Sequence, residues 1–186
     1  MEKTDYQTAG IFALLIPIAS FLWEFNFLVS SLMVVVISPY IFIKLRALLI
    51  ERTQYKQLFT AVIYFIILTT ILAPIFVLIG YYGGISPLIF LRGLGYIALG
   101  WLLLMERRKY NILMKSIAIV ALFLGGTHIH TSLYTIYPNL LLVMTVKSLE
   151  LYRLIKVGTL FVLYILLGIN FLWTHKKEYN KSSIEQ

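Results

Sequence analysis

Cysteine is absent from this 186-residue chain, which excludes disulfides, Cys-ligated zinc, iron–sulfur clusters and thiol catalysis. Charged residues are scarce, at 13% against 60% hydrophobic, and the mean hydropathy is +0.88. A soluble domain of this length needs more charge to cover its surface, so the apolar excess faces lipid. Aspartate occurs once, at Asp5, ahead of the first apolar run. No pair of intramembrane aspartates is therefore available for proteolysis or lipid hydrolysis. A phosphate-cradling glycine loop, H-E-x-x-H and G-x-S-x-G are all missing as well. The residues point away from an enzyme.

What is present is a series of apolar runs separated by short polar connections. Without two-residue alternation these runs are helices and not barrel strands, because each must satisfy its own backbone in lipid. The expected fold is an all-α, polytopic transmembrane bundle of six to seven spans with no soluble domain. Expected spans lie near 8–24, 27–45, 58–80, 86–105, 110–127, 132–149 and 157–174, making one domain over 1–174 followed by a polar tail, 175–186. The 132–149 stretch is the ambiguous one. Its apolar run is short and holds Pro138 and Asn139, so it reads either as a re-entrant segment or as a span with Pro138 in its first turn. The second reading, seven spans, is preferred. The first apolar run follows an acidic rather than basic start and reads as a retained helix.

The net charge of +8 does not signal nucleic acid. Its basic residues cluster between spans, at 44–56, 106–109 and 147–156, whereas 24–26, 81–86 and 125–131 are nearly free of positive charge. The positive-inside rule then places the N-terminus and the basic loops in the cytoplasm of a cell-membrane protein. On this topology Trp23 and Trp173 mark the outer interface and Trp101 the inner one. The partners expected are the lipid bilayer and other membrane subunits.

Two features carry candidate chemistry. Arg92 falls about two turns into the fourth span, where an isolated charge costs roughly 2.5–3.5 kcal/mol. It reads either as snorkelling to headgroups or as buried and paired with Glu24, the pair forming a structural tie or a ligand site. Gly93, Gly95, Ala98 and Gly100 make that span one that neighbours can approach closely. The second feature is the LGGTHIHTSLY stretch. His128 and His130, with His175 on the same predicted side, are candidate ligands for copper or zinc, or for a haem. On a helix, however, positions i and i+2 point about 200° apart and cannot face one porphyrin. In an extended turn they can chelate, but a polar turn capped by Thr127, Thr131 and Ser132 explains them without a ligand. Function is left between three readings: a non-catalytic accessory or assembly subunit of a larger membrane complex, a small-solute transporter or substrate-capture component built on Arg92 and Glu24, and a metal- or haem-handling redox protein.

Overall fold

Apolar segments in lipid have no water to satisfy their backbone, so each closes its own hydrogen bonds as a helix. The computed structural model describes residues 6–21, 27–51, 53–80, 82–106, 111–136 and 146–184. Among them are six α-helices: Tyr6–Phe21 (α1), Phe27–Ile50 (α2), Lys56–Leu78 (α3), Ile85–Met105 (α4), Ile112–Ile136 (α5) and Val146–Ile184 (α6). A single 3-10 turn, Tyr82–Gly84, leads into α4, and no strand occurs among the described residues. Segments Lys56–Leu78, Ile85–Met105, Ile112–Leu133 and Leu154–Lys177 are each long and apolar enough to cross a bilayer. The chain is a helical membrane protein.

Each helix packs on its successor, and α6 closes back on α1, so the six form a ring in chain order. The most extensive interface joins α4 to α5, and glycine sets its spacing. A Cβ added at Gly125 would lie 2.6 Å from the Gly93 carbonyl oxygen, and one at Gly100 2.6 Å from that of Ala118. Gly93 thus faces Gly125 and, two turns on, Gly100 faces Ala118, which makes the pair antiparallel. Gly95, on another side of α4, abuts Phe65 and Ile66 of α3. The small-residue stripe read from the sequence is therefore shared between two neighbours. On the other side of the ring α1 meets α6 at Gly10 and Gly168. There the ring of Tyr6 stacks on Phe171 at a centroid distance of 6.0 Å.

The expected span 132–149 does not form an element of its own. Residues up to Ile136 complete α5, those from Val146 open α6, and Pro138 and Asn139 lie outside the described residues. With six alternating helices, the start of α6 sits opposite the 51–55 connection, while its end shares that side. This separates the basic 147–156 segment from the basic 44–56 segment, which charge counting had placed together. It likewise brings Trp101 and Trp173, expected at opposite interfaces, to one side of the bundle, where both face outward. Lys177 lies over the Trp173 ring at 5.3 Å.

Side chains fill the centre of the ring. Phe42, Tyr96, Leu99, Leu103, Tyr164 and Leu167 are all buried there. At the 51–55 end, Arg46 donates from Nε to the Thr60 hydroxyl (3.1 Å) and lies over the Tyr64 ring. The buried Glu106 accepts a bond from the main-chain N–H of Gln54 (3.1 Å). Asn111 begins α5 by accepting from the Met114 N–H at 2.9 Å, as a side-chain N-cap does.

Candidate functional site

Pro74 lies inside α3 and has no N–H to give to the Thr70 carbonyl, and proline rings crowd the preceding turn. Around this turn the threonine hydroxyls fold back on the main chain. Thr69 donates to the carbonyls of Phe65 and Ile66, each at 3.0 Å, and Thr70 to that of Ile66 at 2.7 Å. The Thr69 carbonyl in turn accepts a 2.6 Å bond from Nη2 of Arg92 on α4. A charged donor to a main-chain carbonyl is a strong bond, but it leaves the positive charge unneutralised.

The rest of the guanidinium is less well served. Its Nε is enclosed and has no hydrogen-bond partner among the described residues. Neither of the two carboxylates whose side chains the structure describes is within reach. Glu106 is fourteen positions further along α4, roughly 21 Å by helical rise, and Glu51 follows α2 at that same far end. Glu24, the partner expected from sequence, lies outside the described residues. Arg92 is tied to α3 by a carbonyl, and among the described residues no ion pair accounts for its charge.

One turn beyond Arg92, Tyr96 enters the interior, where Tyr164 of α6 and Ser38 of α2 meet it. Ser38 and Tyr164 hydroxyls are 2.6 Å apart, a bond across the bundle between helices that do not pack on each other. Phe42 sets its ring 6.1 Å from Tyr96 and 6.5 Å from Tyr164. His128 of α5 lies 5.6 Å from the Tyr96 ring, measured between centroids. Its Nδ1 is 2.9 Å from the Leu124 carbonyl. A carbonyl only accepts, so Nδ1 carries the proton of this bond.

Lys156, two turns before Tyr164 on α6, completes the group. It is half-buried and makes no hydrogen bond or ion pair with any described residue. α4 and α5 thus bring an arginine and a histidine to one level, and α6 carries Lys156 toward the same end of the bundle.

The structure separates the three histidines. The stretch expected as a turn is continuous helix, so His128 and His130 diverge by about 200° and the extended geometry that would allow chelation is not adopted. His175 is nineteen positions beyond Lys156, roughly 28 Å along α6, at the opposite end of the bundle from His128. Among the described residues no three His, Asp or Glu side chains converge as a metal site.

Lys156, Tyr96, Tyr164 and Ser38 did not stand out in the sequence. Lys156 read as one more residue of a basic loop, and only the parity of the helices moves it to the level of Arg92. The Arg92–Tyr96 spacing of four residues was the one legible signal. No protein-family model matches the chain, and comparisons with curated proteins and with solved structures find no match.

Chemically, the arrangement offers positive charge and hydroxyl donors in a place where water is scarce.

Proposed function

We propose that this membrane protein captures an anionic solute in the half of the bundle nearer the 79–84 connection, with Arg92 and Lys156 as the binding charges. Of the roles open at the sequence level, this is the substrate-capture role in place of an accessory subunit. One observation carries it: the guanidinium of Arg92, enclosed between α3 and the centre of the ring, spends one Nη on the Thr69 carbonyl and keeps its Nε without a partner among the described residues. Charge buried without compensation is costly and survives where it serves binding or transport. Tyr96, Tyr164 and His128 supply the polar lining, and Thr69 holds Arg92 in position.

The test uses the full chain purified in an uncharged detergent. Thermal unfolding is followed in chloride, phosphate, sulfate, acetate and succinate at one ionic strength. Ligand at a hundred times its Kd stabilises by about 2.7 kcal/mol. At least one anion is expected to raise the midpoint over chloride, and Arg92→Gln to abolish the rise. The same midpoint in every anion would refute the proposal.

A further inference from the structure

Arg46 on α2 is held in place by two side chains of the neighbouring helix. Its Nε donates to the Thr60 hydroxyl at 3.1 Å, and its guanidinium carbon lies 5.5 Å from the centre of the Tyr64 ring. Both partners are on α3, four residues apart, so they share one stripe of that helix. With Nε committed and one face against an aromatic ring, the guanidinium has its two Nη groups left to offer. Neither bonds to any described residue. Glu51, exposed just past the end of α2, makes no ion pair with it.

The surroundings of Arg46 follow the order of a phospholipid. Lys56, exposed at the first residue of α3, stands on the stripe of Thr60 and Tyr64, one turn nearer the helix end. In the other direction the stripe continues to Leu68, which is exposed, as Tyr64 is. On α2 the residues three, seven and ten before Arg46 are Ile43, Pro39 and Val36, and both Ile43 and Val36 are exposed as well. Because α2 and α3 pack directly on each other, the two stripes border one groove. It is basic at the 51–55 end, aromatic next, and apolar from there inward.

We infer that this groove holds one anionic phospholipid, with its phosphate on Arg46 and Lys56 and an acyl chain along Ile43 and Leu68. The contacts to Thr60 and Tyr64 set the arginine fork in one orientation, and that fork matches two phosphate oxygens. Lys56 adds positive charge at the headgroup level, which disfavours choline, itself a cation. The positive-inside rule puts this end at the cytoplasmic leaflet, where anionic lipids supply the negative surface potential. The site is independent of the Arg92 reading, which concerns the opposite half of the bundle.

The experiment uses the full chain in uncharged detergent, mixed with phosphatidylglycerol or with phosphatidylcholine of the same acyl chains. Native mass spectrometry counts the lipids each chain keeps, and the rise in unfolding midpoint across a lipid titration gives an apparent affinity. Phosphatidylglycerol is expected to bind one per chain and about tenfold more tightly than phosphatidylcholine, the worth of one charged hydrogen bond. Arg46→Gln should erase that preference, and Arg46→Lys should restore only part of it, because lysine lacks the fork. Tyr64→Leu keeps the charge but loosens the fork, and should lower the preference even if Arg46→Gln does not fold. Lys115→Gln removes an exposed charge from α5 at the same end of the bundle and should leave the preference intact. Equal losses in Lys115→Gln and Arg46→Gln would mean diffuse surface attraction and overturn the inference. So would an unchanged preference in Arg46→Gln, or equal retention of the two lipids by the parent.

Discussion

Arg92 is held by the main-chain carbonyl of Thr69, at 2.6 Å, in the turn of α3 that precedes Pro74. That bond fixes the guanidinium between α3 and the centre of the ring without cancelling its charge. The site follows from this. Among the described residues Arg92 has a carbonyl on one side, no carboxylate, and the Tyr96 and Tyr164 side of the interior on the other.

The α4–α5 interface that positions Arg92 against His128 makes a sharp prediction at two adjacent glycines. An alanine at Gly125 drives its Cβ to 2.6 Å from the Gly93 carbonyl and 2.9 Å from the Ile97 nitrogen, both main-chain atoms that cannot step aside. Gly125→Ala should cost about 1–3 kcal/mol, as overpacking does. Gly126 has nothing within 4 Å of its added Cβ. Gly126→Ala should be silent or stabilise by up to about 1 kcal/mol, since alanine loses less backbone entropy in a helix. Thermal unfolding of the two variants in detergent checks the contrast.

The hydroxyl bridge between Ser38 and Tyr164 couples α2 to α6 across the interior. Tyr164→Phe and Ser38→Ala should each cost about 1 kcal/mol, the usual net worth of a hydrogen bond whose partner is left dry. The double variant should cost no more than either single one. Additive losses in a double-mutant cycle would mean that the bond contributes nothing.

Six alternating helices predict the sidedness of three loop positions. Cysteines introduced singly at Gln54 and Lys177 of this Cys-free chain should react from the same face of the membrane, and one at Gly83 from the other. Labelling with a membrane-impermeant thiol reagent in intact cells reads this directly. By the positive-inside expectation, Gly83→Cys is the variant that reacts from outside. Opposite labelling of 54 and 177 would restore an odd number of spans.

Much of the fold was legible because hydrophobic length alone makes a membrane helix. The runs that became α3 and α4 were placed to within a few residues, and the glycines of α4 announced close packing. What failed was parity. The helix through His128 and His130 continues to Ile136, because nothing in GGTHIHTSL forbids helix once neighbours cover it. Thr127 and Thr131 hydrogen-bond back to the carbonyls of Leu124 and Thr127, and Ser132 to that of Ser86 across on α4. The same polar residues that suggested a turn thus satisfy themselves within a helix. Losing one span reversed α6, carried His175 away from the other histidines and moved Lys156 to the Arg92 end of the bundle. Arg92 itself was legible as a charge set too deep to be idle. Its companions were not, since a lysine in a basic segment looks the same in sequence whichever side of the membrane it occupies.

The most direct test of the central claim is the unfolding midpoint of Lys156→Gln against the parent, in uncharged detergent with chloride as the sole anion and then with phosphate. If Lys156 is an uncompensated binding charge, its removal relieves the empty site, and the midpoint in chloride should rise by about 2–4 °C for each kcal/mol gained. The added stability that phosphate gives the parent should shrink or vanish in the variant. A variant less stable than the parent in chloride and as responsive to phosphate would instead mark Lys156 as a structural residue, and would contradict the account.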